Sequence, residues 1–293
     1  MQDFPVQVAF AGGLAPKKEA EGAMGCVNLR ARGKGLEAVL APRMLAALTG
    51  VSWPFPQVFR LRGETFVCTK DAILKVGGAA LIPLLSGLDN AGYPWSATEI
   101  GGFKVFTNNK VVVTGLDTLE VDTDHKIPAG LSICAVSAQL IIAAPWAYGE
   151  WNDEAVMWGK VGTADFTVDR SNIAAVRYAQ CGTVLKVLPF KKKTLSGLHF
   201  GFVAFGTEGV TTFLTAAHPA VFSQLLAYPV GIHSQLAAAG SPDEQFFIDS
   251  NYNLCHITDG DVKVLGYQHI LKGVQGAIVL SYDRLNKELW VSY

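Results

Sequence analysis

The stretch from residue 102 to residue 114 reads GFKVFTNNKVVVT, and its pattern is repeated through most of the chain. Two runs rich in β-branched and aromatic residues flank Asn108 and Asn109. Asparagine tolerates the positive φ angles that a tight hairpin turn requires. The stretch therefore predicts two antiparallel strands joined by a short turn at residue 108.

The same pattern occurs five more times along the chain. In each copy two short apolar runs flank a candidate turn, near residue 71, 138, 208, 251 or 286. The gap between the turns at 138 and 208 is about twice the others, so we expect a further, degenerate unit there. The candidate strands of that unit are Trp146 to Val161 and Ala174 to Pro189.

This spacing decides the fold class. A period of roughly 35 to 45 residues, with about four strands in each unit, is typical of the blades of a β-propeller. One small sheet cannot bury both of its faces alone, whereas sheets packed radially bury each other. We predict an all-β, β-propeller-like fold of about 5–7 blades of short antiparallel strands. A β-sandwich is the alternative, since it needs alternating strands but no regular hairpin spacing.

The first 55 residues differ from the rest. Gly35 to Gly50 reads GLEAVLAPRMLAALTG, which has better helix formers, ends in glycine and is interrupted by Pro42. It predicts a short helix or an irregular arm, and Phe4 to Phe10 is a candidate strand for completing the last blade. The predicted organisation is an N-terminal arm with a short helix over residues 1–55 and a β-propeller-like domain over residues 56–293.

Composition and charge narrow the class of protein further. Of the 293 residues, 50% are hydrophobic and 17% are charged, which argues against a disordered chain. The 24 basic and 25 acidic side chains give a net charge of −1. A global basic field for nucleic acid is therefore excluded, although a local patch is not.

The cysteines and the apolar segments indicate a folded protein with free thiols. The five cysteines are dispersed and form neither a CxxC motif nor a Cys/His cluster, so we expect buried free thiols. The first residues, MQDFPVQVAF, do not resemble a secretory signal. The most apolar window, Leu131 to Ala147, is shorter than the ~20 residues of a membrane helix. It predicts a buried hairpin, and we expect no membrane segment.

The sequence contains no specific catalytic motif. There is no GxSxG, HExxH or P-loop, and the six histidines lack the spacing of metal ligands. We therefore predict no catalytic residue, no metal site and no cofactor.

Asp122 and Asp124 lie in the densest acidic cluster and would share one face of a strand, so they could bind a hard cation or form an acid–base pair. An ordinary solvated hairpin end is the alternative. Asp259 and Asp261 form a second acidic spot, most simply a turn.

Aromatic and basic residues supply candidate contact surfaces. Trp146, Tyr148, Trp151 and Trp158 crowd one stretch. Exposed aromatic side chains could stack on sugars or on a protein partner, whereas buried ones fill the space between blades. We expect Trp158 to be buried and the loop from residue 147 to residue 154 to be exposed, which makes Tyr148 and Trp151 candidate assembly contacts.

The single run of like charges is Lys191, Lys192 and Lys193. These lysines could meet a phosphate backbone, or they could form an ordinary solvated loop. They are also candidate assembly contacts.

From about Val156 to Tyr293, a series of short motifs occurs in a fixed order. The motifs are Val156-Met-Trp158-Gly, Ala164-Asp165-Phe166, Asn172-Ile-Ala-Ala, Gly182-Thr-Val-Leu-Lys-Val-Leu-Pro189, Gly206-Thr-Glu-Gly209, Gly231-Ile-His-Ser234, Ala237 to Gly240, Val279-Leu-Ser-Tyr-Asp283 and Glu288-Leu-Trp-Val-Ser292. In this order and spacing, the chain resembles the tail nozzle and head-to-tail structural proteins of tailed bacteriophages.

The resemblance implies a non-enzymatic virion protein whose β-propeller-like domain assembles as a ring around the DNA exit channel. The implied partners are further copies of the chain, neighbouring tail or adaptor proteins, and DNA that passes without sequence-specific binding. The implied location is the virion tail, after synthesis in the host cytoplasm. A conduit must let DNA pass without holding it, so acidic or neutral residues suit its lumen. The candidate lumen or loop-tip residues are Asp122, Asp124, Asp259 and Asp261.

Two other functions fit the predicted fold. A propeller glycosidase acting on cell-surface polysaccharide would need two carboxylates at a defined separation. A non-catalytic module would bind host glycan or protein without turnover.

Overall fold

A computed structural model of the chain describes residues 29–32, 35–38, 56–78, 80–89, 92–147, 150–167, 175–195, 197–216 and 221–292. The chain divides into two compact units, Met1–Ala47 and Leu48–Tyr293. In the first unit, β1 (Leu29–Arg32) pairs with β2 (Gly35–Ala38) as an antiparallel hairpin.

The start of the predicted helix at Gly35 is therefore wrong, because Gly35–Ala38 is a strand. Glycine is a poor helix former, and pairing with β1 satisfies the backbone groups of this segment instead. The rest of that predicted helix, and the candidate strand Phe4 to Phe10, lie outside the described residues.

The second unit consists of small antiparallel sheets in which strands follow one another in chain order. The first sheet contains β3 (Gln57–Leu61), β4 (Glu64–Cys68), β5 (Ile73–Gly77) and β6 (Ala80–Leu85). The second contains β7 (Ser96–Ile100), β8 (Phe103–Thr107), β9 (Val112–Gly115) and β10 (Glu120–Val121). The third contains β11 (Ser132–Val136), β12 (Gln139–Ala143), β15 (Ala155–Trp158) and β16 (Ala175–Tyr178). A separate hairpin of β13 (Trp146–Ala147) and β14 (Glu150–Trp151) is inserted between β12 and β15.

The remaining sheets continue the pattern. The fourth contains β17 (Val184–Thr194), β18 (Gly197–Gly206), β19 (Val210–Thr215) and β20 (Phe222–Tyr228). The fifth contains β21 (Ala238–Gly240), β22 (Glu244–Ile248), β23 (Leu254–Thr258) and β24 (Asp261–Gly266). The short helix α1 (Gln268–Leu271) leads to a sixth sheet, of which two strands are described, β25 (Val279–Asp283) and β26 (Glu288–Ser292). This is the predicted all-β, β-propeller-like fold.

All six predicted hairpin turns are confirmed, since each lies between two paired strands. The turn at residue 108 shows why the sequence was informative. Asn109 has a φ of 76°, a left-handed conformation that asparagine tolerates better than most residues. The side-chain oxygen of Asn108 accepts hydrogen bonds from the backbone N–H groups of Lys110 and Val111, which closes the turn locally.

The predicted extra unit between residues 138 and 208 is wrong within the described residues. Trp146 to Val161 contains the inserted hairpin and β15, while Ala174 to Pro189 contains β16 and the start of β17. The gap is wide for three reasons, and the first is the inserted β13–β14 hairpin. The turn at 138 joins the first and second strands of its sheet, whereas the turn at 208 joins the second and third. In addition, β17 and β18 are 11 and 10 residues long.

The core lies between successive sheets. In β8, Val105 packs into a cluster between the second and third sheets, and its neighbour Phe106 packs into the cluster between the first and second sheets. Adjacent residues of a strand point to opposite faces, so a sheet with neighbours on both sides buries side chains on both faces. Trp158 is buried between the third and fourth sheets against Phe222, as predicted.

A series of hydrogen bonds, here called the axial hydrogen bonds, joins each sheet to the next near its first strand. The bonds are Trp95 N to Gln57 Oε1 (3.0 Å), Ile133 N to Ser96 Oγ (3.0 Å), Val187 N to Ser132 Oγ (3.2 Å), Lys186 Nζ to the Ala238 carbonyl (2.5 Å) and Leu280 N to the Leu236 carbonyl (3.0 Å). In addition, Gln235 Nε2 donates to the carbonyl of Leu131, which is 104 residues away in the chain. These bonds fix the inner edges of all six sheets relative to each other.

Four of the five cysteines, Cys68, Cys134, Cys181 and Cys255, lie in the described residues and are buried and unpaired, as predicted. Burial raises the pKa of the Cys181 and Cys255 thiols to about 12. Cys26 lies outside the described residues.

The described part of the chain contains no helix long and apolar enough to span a membrane. The apolar window from residue 131 forms the β11–β12 hairpin, as predicted.

The axial hydrogen bonds predict that Ser132→Ala destabilises the fold. Ser132 is 1% exposed, and its removal leaves the Val187 N–H buried without a partner, which costs about 1–3 kcal/mol of unfolding free energy. The exposed Ser223, which bonds the Leu214 carbonyl, provides a matched control. Chemical denaturation should show a lower midpoint for Ser132→Ala and little change for Ser223→Ala. Equal midpoints for both variants and the unaltered chain would contradict a stabilising role for this bond.

Candidate functional site

A groove of about 1400 Å³ opens between the second and third sheets. One wall is the segment 114–128, which contains the end of β9, all of β10 and the connection to the third sheet. The opposite side is formed by Trp146, Met157 and residues 163–167. The groove therefore brings together residues that are up to 64 positions apart in the sequence, from Phe103 to Thr167, because the two sheets pack side by side.

The groove is acidic. Five carboxylates line it against one lysine, Lys126, among the described residues. These carboxylates belong to Asp117, Glu120, Asp122, Asp124 and Asp165. A concave surface with carboxylates in excess attracts cations and groups that donate hydrogen bonds.

Asp122 has a structural role in the wall of the groove. Its backbone N–H donates to the Val112 carbonyl (2.8 Å), which continues the pairing just after β10. Its side-chain Oδ2 accepts a hydrogen bond from the backbone N–H of Ile127 (2.8 Å). This contact closes the loop 122–127 and allows Ile127 to be buried between the second and third sheets.

Two other carboxylates are paired at the surface. Asp124 Oδ2 lies 2.8 Å from Lys126 Nζ, and this hydrogen bond lowers the pKa of Asp124. Asp165 accepts hydrogen bonds from Lys160 (2.5 Å) and from the backbone N–H of Thr167 (2.8 Å), and these contacts lower its pKa to about 2. Both groups are ionised at neutral pH, so the negative charge of the groove persists there.

Aromatic and aliphatic side chains are exposed in the same groove. Trp146 is 42% exposed, as are Phe103 and Leu116. Trp146 faces Trp151 across the β13–β14 hairpin, with ring centroids 5.1 Å apart in an edge-to-face arrangement. An exposed indole in a groove with carboxylates can contact the apolar face of a sugar ring while the carboxylates accept hydrogen bonds from the sugar hydroxyls.

The structure brings together only part of what the sequence indicated. Asp122 and Asp124 share the groove with Trp146. Trp151 is 39% exposed, whereas Tyr148 lies outside the described residues. Sequence analysis did not assign Phe103 or Asp165 to this site, because neither residue stands near the acidic cluster in the chain.

The triple lysine lies elsewhere, beside the fifth sheet. Lys191 Nζ forms an ion pair with Asp243, and the backbone N–H of Lys193 donates to Asp259 Oδ1 (3.3 Å). The side-chain nitrogen of Lys192 lies next to Gly260. These contacts attach the extended β17–β18 hairpin to loops of the fifth sheet. Asp261 begins β24.

The two acidic pairs therefore occupy two different places. Asp259 lies at the turn between β23 and β24, next to the lysines, and Asp122 and Asp124 line the groove. None of the four candidate residues lines the cavity at the axis of the sheets. Their assignment to the lumen of an assembled ring stays a prediction.

The different contacts of Asp122 and Asp124 predict different effects of their removal. Asp122→Ala should lower the unfolding free energy by about 1 kcal/mol, because the Ile127 N–H loses its partner. Asp124→Ala should leave the unfolding midpoint unchanged, because its ion pair with Lys126 is exposed to solvent. Thermal and chemical denaturation of the two variants check this. A larger loss for Asp124→Ala than for Asp122→Ala would show that the assignment of roles is reversed.

Comparisons with known proteins give no family for this chain. No protein-family model matches it, and no curated protein matches it. Among solved structures, it is similar to BamB from Moraxella catarrhalis, with 9% identity, a TM-score of 0.42 and coverage of 77% of this chain and 67% of that chain. It is also similar to apo AztD from Citrobacter koseri, with 6% identity, a TM-score of 0.41 and coverage of 72% and 73%. The WD40 domain of SCAP from fission yeast has 10% identity, a TM-score of 0.25 and coverage of 69% and 38%.

Proposed function

We propose that this chain is a non-enzymatic structural protein of a tailed bacteriophage, which assembles with copies of itself as a ring in the tail or at the head–tail connection. The order of short motifs from Val156 to Tyr293 supports the proposal through its resemblance to tail nozzle and head-to-tail proteins. In this role the chain contacts neighbouring tail or adaptor proteins, and DNA passes without sequence-specific binding.

The observation that carries the proposal is the apolar character of the outer strands. The last strands of the first, third and fourth sheets each expose large hydrophobic side chains, which are Ile82 and Leu84 on β6, Val176 and Tyr178 on β16, and Leu225 and Leu226 on β20. Last strands have a free edge, and monomeric proteins commonly protect such edges with charge. Exposed apolar side chains on several outer strands favour lateral contacts between subunits.

Leu225 offers a direct test of lateral assembly. Leu225 is 63% exposed on β20, so Leu225→Glu should weaken self-association without unfolding the chain. Leu285 is 94% exposed in the turn between β25 and β26, so Leu285→Glu makes the same chemical change away from the outer strands. We expect native mass spectrometry to show rings for the unaltered chain and for Leu285→Glu, and at least about tenfold weaker association for Leu225→Glu.

The place in a virion is tested separately. Peptides of this chain should be found by mass spectrometry in gradient-purified phage particles, at a few copies per particle in a small integer ratio typical of a ring. Absence from purified particles would rule out the virion role. If native mass spectrometry shows only monomers at every protein concentration, ring formation by the chain alone is ruled out.

A second candidate function is the binding of host surface glycan, and the groove between the second and third sheets favours it. Exposed Trp146 lines the same groove as five carboxylates, and this combination is suited to a sugar. In this role the groove binds glycan either without turnover or as a hydrolase.

The glycan function predicts a loss of binding in Trp146→Ala. A glycan panel should show saturable binding that falls about tenfold in this variant, because a stacked aromatic side chain contributes more than about 1 kcal/mol. Trp290 is 46% exposed on β26, away from the groove, so Trp290→Ala is a matched control. Product release from bound glycan would distinguish hydrolysis from simple binding. Equal loss in both variants, or no glycan bound at all, would exclude the groove as a glycan site.

A further inference from the structure

A second cavity, here called the axial cavity, lies where the first strands of the sheets converge. It has a volume of about 410 Å³ and is lined by residues of β3, β7, β11, β17 and β25 and by the segment just before β21. This volume is within the range of small-molecule sites. Its polar side chains include Ser96, Ser132, Lys186 and Gln235.

Lys186 carries a positive charge into this cavity, and no counter-ion for it is found among the described residues of the lining. Its Nζ donates to the Ala238 carbonyl (2.5 Å), but an ammonium group has three donors. None of the described residues that line the cavity is acidic. Burial lowers the pKa of Lys186 to about 8, so the side chain is still mostly protonated at neutral pH. A partly buried charge with a single neutral hydrogen-bond partner is costly, which favours an anion beside it.

Gln235 lines the same cavity and has an unused acceptor. The residue is 9% exposed. Its Nε2 faces two acceptors, the carbonyls of Leu131 and Pro94, so the orientation of the amide is fixed. Its Oε1 is buried and has no hydrogen-bond partner among the described residues. A group that donates a hydrogen bond would satisfy this oxygen.

Two of the four serine hydroxyls of the cavity, those of Ser96 and Ser132, are already used between the sheets, whereas Ser281 and Ser292 are exposed. Ser132 Oγ accepts from Val187 N, and Ser96 Oγ accepts from Ile133 N. Lys186 and Gln235 therefore offer a ligand a charged donor and an unpaired acceptor. Together they require a negative charge and a hydrogen-bond donor in one small molecule or chain end.

We propose that the axial cavity binds a carboxylate that also carries an N–H or O–H donor, with the carboxylate at Lys186 Nζ and the donor at Gln235 Oε1. Two sources share this chemistry, a small hydroxy or amino acid and the carboxyl terminus of a peptide. This site is separate from the outer strands and from the groove, so the inference does not depend on the proposed function.

The test uses the full chain and four probes in titration calorimetry at pH 7. N-acetylglycine and glycolate contain both groups and should bind saturably. Acetate lacks the donor and should bind about tenfold more weakly, because Gln235 Oε1 then stays unsatisfied. N-acetylglycinamide lacks the charge and should not bind. Tighter binding of N-acetylglycine than of glycolate indicates a peptide end, and the reverse indicates a free hydroxy acid.

Two lysine variants separate the site from general charge effects. Lys186→Met keeps the length of the side chain and should weaken binding of N-acetylglycine about thirtyfold, since a hydrogen bond to a charged group is lost. Lys110 is exposed and pairs with Asp89 (3.5 Å), so Lys110→Met should bind like the unaltered chain.

The comparison of N-acetylglycine with its amide on the unaltered chain decides the question even if Lys186→Met does not fold. In that case, nuclear magnetic resonance should show shift changes at Lys186 and at the Gln235 side-chain amide upon addition of N-acetylglycine. Equal affinity for the acid and the amide, unchanged affinity in a folded Lys186→Met, or no saturable binding of any probe would overturn the proposal.

Discussion

Each sheet with neighbours on both sides buries apolar side chains on both of its faces, and neither face is covered unless another sheet packs against it. Val105 and Phe106 illustrate this constraint, since these adjacent residues of β8 belong to cores on opposite sides of their sheet. A single sheet of this kind would expose one core or the other to water. The radial arrangement, the axial hydrogen bonds and the groove all follow from the need to cover both faces.

Much of the fold could be predicted because the hairpin turns are encoded locally. Asn108 and Asn109 specify their turn through their own backbone preferences and through hydrogen bonds within three residues. The grouping of hairpins into sheets could not be predicted in the same way. A turn between the first and second strands looks like a turn between the second and third, so the long gap after residue 138 wrongly predicts an extra unit. The strand at Gly35 was missed because its partner, β1, decides its conformation.

The candidate sites were harder to predict than the fold, for a physical reason. Phe103, Asp122, Trp146 and Asp165 meet only after two sheets have packed, and no local pattern links them. The lysine run shows the opposite error. Its charges look available for a phosphate backbone, yet Lys191 is paired with Asp243 and the Lys193 backbone is bonded to Asp259. Lys186 shows no signal in the sequence, because a lysine in an extended run is ordinarily expected at the surface.

The interfaces between sheets also bear on how the chain reaches its native state. Each of the core clusters joins two sheets that are consecutive in the sequence, so each interface can form once the next few dozen residues have left the ribosome. The bond from Gln235 to Leu131 is different, because it waits for the fifth sheet to be synthesised. Until then the inner edges of the earlier sheets are held by nearest-neighbour contacts alone. Synthesis therefore favours stepwise growth from the first sheet, with the contact across the axis formed late.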